Sequence, residues 1–545
     1  MTLSLKQTYP RRPVKVAQAF ALGAFSACLM ALPAEAAERI QFFYGPFEPT
    51  IEVEDLQHLA ETGEVIGSAE VIAQQLNAEQ LATLQSFLTL RFEMSPVMVS
   101  QFTYSDLGEH LLRRAGEIVQ TESFLNGDRA LRAALIFAAD SKDGLSVMNI
   151  IRQFPQQTIQ IDFPLAVDVL SANQHFFQQS NQALETLRQQ SANQTPSTSQ
   201  WPDPNPRTAG QYSWEVETFK FQNPARSLPS QAHLYWPVIS AAGPQSIPVV
   251  VISHGMASSY RSLVYLATHL ASHGYAVIFP EHPQTTPERF AQTLNGLATL
   301  PDPSTLLNRP KDVTAVLDTI AQQAQPGTRW QTLNLESVGV LGQSLGGYTA
   351  LATAGARINR SQLETTCQED TLSRRPTFNL SILLQCRFAA IPTTESLDVQ
   401  DSRVKVAIAL NPFTSQVFGE LGLAAVDRPT LMVSSLNDYF VPALSEQVEP
   451  FGWLEHPDTY LIAIESATHF STLSEDGQGA LPLPDFLLGP EPSLAEVPLQ
   501  AVTLAFFNRY LLQEMKAENY LNQTYLNTFS SDPFQFNIIR RTEQP

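Results

Sequence analysis

The rhythm of apolar and polar positions changes at Gln211. From this residue onward, short apolar runs alternate with helical patterns, which favours a mostly parallel sheet with helices on both faces. Eight strands are predicted, near residues 215–221, 231–236, 248–253, 275–279, 337–341, 404–410, 430–434 and 460–464. Residues 211–545 are therefore predicted to form an α/β domain around an eight-stranded sheet.

The preceding region, residues 38–190, has a mostly helical pattern. Asn77 and Gln80 are spaced as a capping box before one apolar-periodic stretch, and Ser105 precedes another. Residues 191–210 are rich in proline and small polar residues, which prevents a packed element. We therefore expect a mostly helical N-terminal domain, then a linker, then the α/β domain. The sequence does not identify a protein partner for the N-terminal domain.

Three long insertions interrupt the strand and helix rhythm of the α/β domain. They span residues 284–310, 357–402 and 477–493. Long loops in compact domains usually act as lids or as walls of binding sites. Leu483, Phe486 and Leu487 in the third insertion are candidates to line a substrate pocket, and simple packing under a proline-rich loop is an equal alternative.

The first 36 residues have the pattern of a signal peptide. A basic segment with Arg11 and Arg12 precedes the apolar run Val16–Leu32, and Ala34 and Ala36 occupy the positions that a signal peptidase reads. Export to the periplasm or the medium is expected. A retained membrane anchor is the alternative, because this run of 17 residues is at the lower limit for a span. No second long apolar run exists, so we expect no transmembrane span in the mature chain.

Length and charge narrow the class of protein. A chain of 545 residues with 43% apolar residues can hold about two or three domains with buried cores. The net charge is −20, and it becomes −23 when the four basic residues and one acidic residue of the leader are removed. Such an acidic surface argues against nucleic acid as a partner and repels anionic lipid headgroups.

Cysteine usage agrees with export. Removal of the leader takes away Cys28 and leaves Cys367 and Cys386. An even pair in an oxidising compartment predicts one disulfide, and two buried thiols are the alternative. The sequence has no cluster of ligands with metal-binding spacing, so no metal and no cofactor are expected.

Ser344 lies in the run GQSLGG, where an apolar stretch ends at Gly342 and a helix-forming stretch begins at Leu345. A strand, a sharp turn and a helix in this order form the nucleophile elbow of serine hydrolases, and the glycines relieve crowding around the turn. Ser344 is therefore a candidate nucleophile. The alternative is an ordinary glycine-rich turn between a strand and a helix.

A nucleophilic serine needs a histidine base and an acid, each placed just after a later strand. Asp438 follows the strand predicted at 430–434, and His469 follows the strand at 460–464. Asp427 precedes its strand, and Glu465 lies on the histidine's own segment, so both fit less well. Seven other histidines lack the required chain order and are assigned to packing or solvent contact: His58, His110, His175, His233, His269, His273 and His456.

The loop after the strand at 248–253 is a candidate oxyanion hole. It begins with His254 and Gly255, and the glycine allows close approach of the backbone. The N–H groups of Met256 and Leu345 are predicted to donate to a developing oxyanion. His254 is expected to shape this loop through hydrogen bonds.

Four segments together resemble the platelet-activating-factor-acetylhydrolase and dienelactone-hydrolase-like branch of the α/β-hydrolases. They are SHGMASSYRSLVYLATHLASHGYAVIFPEHP, GQSLGGYTAL, the strand followed by Asn437 and Asp438, and THFSTL. The pair Glu281–His282 is similar to a Glu-His pair in that branch. The resemblance covers about residues 211–515 and implies an α/β-hydrolase fold. The layout also resembles bacterial hydrolases that carry an N-terminal domain of unknown function.

The resemblance implies ester chemistry. Dienelactone hydrolases use a cysteine nucleophile, so Ser344 favours ester cleavage instead. We expect a serine hydrolase that cleaves short-chain acyl or lipid-type carboxylic esters through an acyl-enzyme. The alternative from another class is a catalytically silent, hydrolase-like binding module that acts through its N-terminal domain.

Overall fold

The structure is a computed structural model. It describes residues 36–43, 48–74, 76–92, 94–194, 201–239, 246–295, 297–299, 301–368, 379–394, 396–474 and 485–541. The predicted leader, apart from Ala36, lies outside these residues.

Strands and helices are numbered here in chain order within the described residues. The strands are β1 Arg39–Phe43, β2 Thr50–Glu52, β3 Arg91–Phe92, β4 Val119–Gln120, β5 Leu145–Ser146, β6 Thr158–Asp162, β7 Trp214–Phe221, β8 Ser230–Pro237, β9 Ile247–Ser253, β10 Ala276–Pro280, β11 Leu333–Gln343, β12 Val404–Leu410, β13 Thr430–Ser435, β14 Thr459–Glu465 and β15 Gln535–Arg540. The helices are α1 Val53–Thr62, α2 Glu70–Ala73, α3 Ala78–Thr89, α4 Pro96–Thr103, α5 Asp106–Ile118, α6 Asp128–Asp140, α7 Val147–Arg152, α8 Phe163–Asn193, α9 Val264–Ser272, α10 Pro287–Leu294, α11 Ser304–Gln323, α12 Leu345–Thr353, α13 Arg360–Thr366, α14 Ser381–Cys386, α15 Gly419–Leu423, α16 Glu449–Phe451, α17 Asp485–Leu488, α18 Ser493–Tyr510 and α19 Gln523–Leu526.

The chain divides into two compact units. The first contains Met1–Leu90 and Ala115–Phe163, and the second contains Arg91–Arg114 and Pro164–Pro545. The sequence instead groups residues 38–190 as one domain. The difference arises because segment Arg91–Arg114 and nearly all of the long helix α8 make their contacts within the second unit.

The first unit combines helices with a four-stranded sheet of order β2-β1-β6-β4. Its core includes Ile51, Leu59 and Phe154. The predicted capping box is present, with Asn77 and Gln80 each accepting from the other's backbone N–H at 2.9 Å. The prediction of a mostly helical domain is therefore incomplete, because it omits this sheet. The strands of this sheet have two to five residues, too few alternating positions to reveal them in the sequence.

The second unit is built on a nine-stranded sheet of order β15-β14-β13-β12-β11-β9-β10-β8-β7. Neighbouring strands from β10 to β14 run parallel, and β7, β8 and β15 pair antiparallel at the two edges. Each of the eight predicted strands overlaps an observed one. The predicted number of strands is too small by one. The strand that was missed is β15, which carries polar Gln535 and Asn537 and follows the last predicted strand by about 70 residues.

Alternate residues of the central strand β9 enter two different cores. Val249 and Val251 belong to an apolar cluster that includes residues of α11 and α12. Val250 and Ile252 belong to a second cluster with residues of α9 and α18. Successive side chains of a strand point to opposite faces, so the unbroken apolar run of β9 reflects a strand buried on both faces.

The described parts of the predicted linker are not free of structure: residues 191–193 form the end of α8, and residues 201–210 contact the second unit. The ring of Trp201 packs edge-to-face on Tyr525, with 5.4 Å between ring centroids. The carbonyl oxygen of Pro206 lies 2.8 Å from His269 Nε2. Residues 201–210 therefore lie against the second unit, and residues 195–200 are outside the described residues.

The insertions leave from the loop regions of the second unit. The first contains α10 and the start of α11, so its last residues are helical rather than a loop. The second contains α13 and α14, and Cys367 and Cys386 form the predicted disulfide within it. The third contains α17, and residues 477–484 are not described. None of the helices in the described ranges combines the length and apolarity needed to cross a bilayer.

Candidate active site

Ser344 connects β11 to α12 in a strained conformation. Its φ of 56° and ψ of −117° lie in a region that non-glycine residues rarely adopt. A Cβ atom on Gly346 would lie 1.9 Å from the carbonyl oxygen of Ser253, and one on Gly342 would lie 2.0 Å from the carbonyl oxygen of Gly346. Glycine is therefore required at both positions, as the elbow motif predicts.

Asp438 and His469 form a close pair at the carboxyl ends of β13 and β14. Asp438 Oδ2 lies 2.6 Å from His469 Nδ1. The other carboxylate oxygen accepts the N–H groups of Phe440 and Val441, each at 2.8 Å. Both side chains are buried. The carboxylate thus holds the imidazole with its proton on Nδ1, which leaves Nε2 as the basic nitrogen.

Two side-chain amides hold the backbone of His469. Gln343 Nε2 donates to the carbonyl oxygen of His469 at 3.1 Å, and Asn411 Nδ2 lies 3.4 Å from the same oxygen. Asn411 Oδ1 accepts the N–H of Ser435 at 2.9 Å, so it also ties β12 to β13. Sequence reasoning missed both amides. Gln343 lies inside the quoted motif, but only the fold brings Asn411 to this edge.

Ser344 and His469 are not hydrogen-bonded to each other in this structure. Within the described residues, no hydrogen bond joins Ser344 Oγ to His469 Nε2, and Gln343 Nε2 lies 3.4 Å from that nitrogen. Catalytic hydrogen bonds of unliganded hydrolases are often long and tighten when substrate binds. Ser344 Cβ lies 3.5 Å from the Cβ position of Gly255, so the serine lies beside the loop that is predicted to form the oxyanion hole.

The competing acids have partners elsewhere. Asp427 pairs with Arg428 at 2.7 Å, and Glu465 pairs with Arg188 and accepts Asn537 Nδ2 at 2.9 Å. Most other histidines also contact groups away from Ser344. These contacts are His58 with Glu64, His233 with Glu281, His269 with the carbonyl of Pro206, His273 with the carbonyl of Thr208, and His456 with the N–H of Asp458.

The loop predicted to form the oxyanion hole follows the carboxyl end of β9 and begins with His254 and Gly255; it is called the oxyanion loop below. A Cβ atom on Gly255 would lie 2.5 Å from Gln343 Oε1, so this glycine admits the Gln343 side chain that reaches His469. His254 Nδ1 donates to the carbonyl oxygen of Gly255 at 2.8 Å. In the part of the chain that the structure describes, the N–H groups of Met256 and Leu345 have no hydrogen-bond acceptor. Two free donors therefore lie on the segments beside Ser344.

A series of buried, hydrogen-bonded polar side chains lies behind this loop. Ser253 Oγ is 3.0 Å from His282 Nε2, and His282 Nδ1 is 2.8 Å from Asp312 Oδ2. Arg226 binds the same carboxylate through two hydrogen bonds of 2.7 and 2.8 Å. Ser253, His282 and Asp312 imitate a catalytic triad, but all three are fully buried, so they have a structural role.

Burial and the neighbouring charges determine the charge states of His282 and Asp312. Burial and the nearby Arg309 cation lower the pKa of His282 to about 3, so its imidazole is neutral near pH 7. Burial raises the pKa of Asp312, but hydrogen bonds from His282 and Arg226 outweigh it and leave the carboxyl ionised. Neutral His282 donates from Nδ1 to Asp312 and accepts the Ser253 hydroxyl at Nε2.

Aromatic rings flank the histidine. The ring centroids of Phe440 and Phe470 lie 5.8 and 5.5 Å from that of His469. Of the predicted pocket residues, Leu487 is half-buried on α17, the side chain of Phe486 is not described, and Leu483 lies outside the described residues. Thr468 Oγ1 donates to the carbonyl oxygen of Leu488 at 2.6 Å, which ties α17 to the histidine turn.

One family model matches the chain. Its description is "Alpha/beta hydrolase of unknown function (DUF1400)", and it covers residues 36–162. No curated protein matches. The matched segment precedes the nine-stranded sheet, so it carries no information on Ser344. The match and the mostly parallel sheet together support the α/β-hydrolase superfamily for this chain.

Proposed function

We propose that the protein is a serine hydrolase that cleaves carboxylic esters through an acyl-enzyme. Ser344 is the nucleophile, His469 is the general base and acid, and Asp438 orients the imidazole. The N–H groups of Met256 and Leu345 form the oxyanion hole. The observation that carries the proposal is the 2.6 Å contact between Asp438 and His469 at the sheet edge that also bears the strained Ser344.

The reaction proceeds in two stages. His469 Nε2 takes the hydroxyl proton while Ser344 Oγ bonds to the ester carbonyl carbon, and the oxyanion forms beside the two amides. The bond to the alcohol then breaks, and the imidazolium gives its proton to the departing oxygen. Water attacks the acyl-enzyme in the second stage with the same help from His469. The carboxylic acid leaves and the serine hydroxyl is restored.

The substrate class rests on the family resemblance and on the site. The acetylhydrolase-like segments favour short-chain acyl esters or lipid-type esters. Phe440 and Phe470 beside His469 supply an apolar wall, which suits an acyl or alkyl group. The leader pattern and the disulfide favour an exported enzyme, periplasmic or secreted.

Hydrolysis of p-nitrophenyl esters of increasing chain length tests this function. Wild type is expected to release p-nitrophenol and Ser344→Ala to release none above background. Ser230→Ala is the matched control, since Ser230 is buried at the start of β8 and its Oγ has no partner among the described residues. Equal activity of wild type and Ser344→Ala would overturn the assignment.

One observation favours a second function, a catalytically silent binding module. Among the described residues Ser344 Oγ makes no hydrogen bond to His469, and the Gln343 amide lies beside the imidazole instead. This alternative predicts that wild type hydrolyses none of the esters and resists phosphonylation. Turnover that depends on Ser344 would exclude it.

A further inference from the structure

Arg309 is a fully buried arginine on α11, directly behind the oxyanion loop. Its Nη1 donates to Thr285 Oγ1 at 2.5 Å, and its Nη2 donates to Ser253 Oγ at 3.1 Å. Nη2 also donates to the carbonyl oxygen of His254. All three acceptors are neutral oxygens; one belongs to Ser253, the last residue of β9, and one to His254, which begins the loop.

No carboxylate neutralises this guanidinium directly. Asp312 lies one turn further along α11, but its oxygens accept from Arg226 and His282. No acidic side chain within the described residues forms an ion pair with Arg309, and its Nε has no acceptor there. Arg226 and Arg309 are thus two cations beside a single carboxylate, Asp312. These three side chains together carry a net positive charge.

The neighbouring histidines do not change this charge. Burial lowers the pKa of His254 well below its usual value and that of His282 to about 3, so both rings are neutral. Burial lowers the pKa of Arg309 to about 9, which still leaves a cation near pH 7. Tyr348, which interacts electrostatically with Arg309, is a neutral phenol, because burial raises its pKa.

Burial of an unpaired cation costs stability, and an apolar side chain of similar volume would cost less. Stability alone therefore does not explain the arginine. Its hydrogen bonds point to the oxyanion loop, where negative charge would develop during ester attack. Fixed positive charge at such a place stabilises a transition state more than the substrate.

The contacts also aim the proposed Met256 donor. Arg309 holds the His254 carbonyl, and the His254 ring holds the carbonyl of Gly255. In a trans peptide the C=O and the following N–H point in opposite directions. With the Gly255 carbonyl turned toward the His254 ring, the N–H of Met256 points away from that ring.

We propose that Arg309 is a positioning residue for the oxyanion hole, one that fixes the loop from behind and supplies positive charge to it. This role rests on the proposed ester hydrolysis and deepens it. It predicts that Arg309 affects the chemical step more than substrate binding.

Three variants distinguish the effect of the Arg309 charge on catalysis from the effect of its hydrogen bonds and from a general loss of stability. Arg309→Gln keeps an amide donor and removes the charge, and Arg309→Lys keeps the charge. Arg403→Gln is the control, because Arg403 is a half-buried arginine paired with Asp401 before the amino end of β12. Each variant is assayed in the full chain with p-nitrophenyl acetate, and the rate of phosphonylation by a fluorophosphonate is measured alongside.

The expected result is a fall in kcat of about 10- to 100-fold for Arg309→Gln, with KM within about threefold of wild type. Arg309→Lys is expected within about fivefold of wild type, and Arg403→Gln unchanged. Phosphonylation rates follow kcat. A folded Arg309→Gln with wild-type kcat would overturn the role. So would a folded Arg309→Lys that loses more than 100-fold, and this second variant decides the matter if Arg309→Gln fails to fold.

The two proposals fail differently. A wild type that neither hydrolyses the ester nor reacts with the fluorophosphonate overturns the ester hydrolase and the role of Arg309 together. An active wild type with an equally active Arg309→Gln overturns only the role of Arg309.

Discussion

Asp438 Oδ2 and His469 Nδ1 lie 2.6 Å apart, although 31 residues separate them in the chain. The contact forms because β13 and β14 are parallel neighbours, so their carboxyl ends meet at one sheet edge. The two backbone N–H groups that bind the other carboxylate oxygen fix the acid in place. The geometry matches the relation of acid to base in a serine hydrolase.

Asp438→Asn tests this relation with little change of shape. The amide no longer stabilises an imidazolium and favours the wrong tautomer, so we expect kcat to fall about 10³- to 10⁴-fold. Circular dichroism should remain that of wild type. Asp427→Asn, which changes an exposed acid paired with Arg428, is the control and should keep full activity. An active Asp438→Asn would point to a different acid.

Gly346→Ala tests the crowding around the elbow. The new Cβ would lie 1.9 Å from the carbonyl oxygen of Ser253, a backbone atom in a central strand that cannot rotate away. We expect a loss of about 3 kcal/mol or more in the free energy of unfolding, measured by urea denaturation, together with loss of activity. Gly452→Ala, whose nearest neighbour atom would be 3.2 Å away, should change stability by about 1 kcal/mol or less. Similar losses for the two variants would contradict this account of the elbow.

Acid should destabilise the protein partly through His282. Its pKa is about 3 in the folded chain and 6.5 in the unfolded chain. Between these values only the unfolded chain binds the proton, so the free energy of unfolding decreases as the pH falls from 6.5 towards 3. The contribution is at most about 5 kcal/mol. Buried His254 and His269 act in the same direction.

Thermal unfolding of wild type and His282→Gln between pH 7 and pH 4 isolates this contribution. The variant starts less stable, because Asp312 and Ser253 lose a partner, but its melting temperature should depend less on pH. His58→Gln, at a half-buried position outside this cluster, should follow the wild-type curve. Parallel curves for wild type and His282→Gln would contradict a buried neutral imidazole.

The disulfide makes a separate contribution to stability. Cys367 and Cys386 close a loop with a sequence separation of 19. Replacement of both by serine should lower the free energy of unfolding by about 3 kcal/mol in the chain-entropy model. Wild type in excess reductant should then match the double variant. Equal stability of oxidised wild type and the double variant would contradict a stabilising effect of the disulfide.

The sequence reveals the parts of this protein that depend on local pattern. Ser344, Asp438 and His469 stand out because each follows an apolar run in the chain order of a serine hydrolase. The central strands are evident for the same reason, since each is buried on both faces and reads as an apolar run. The contact of Asp438 with His469 then follows from parallel pairing of two strands.

Other parts depend on contacts that sequence spacing does not encode. Asn411 reaches His469 only because β12 lies between β11 and β13. Arg309 lies within the first predicted insertion and Asp312 just beyond it, and only the packed structure shows that Arg309 contacts Ser253 and His254 at the end of β9. The strand β15 and the small sheet of the first unit are too short or too polar to be recognised.

Covalent labelling shows directly whether Ser344 is the nucleophile. Purified full-length protein is treated with a fluorophosphonate, digested, and analysed by mass spectrometry, with Ser344→Ala and heat-unfolded wild type in parallel. We expect one phosphonate per folded chain, on the peptide that contains Ser344, and none in the two controls. An unmodified Ser344 in folded wild type, or an adduct on another residue, would contradict it.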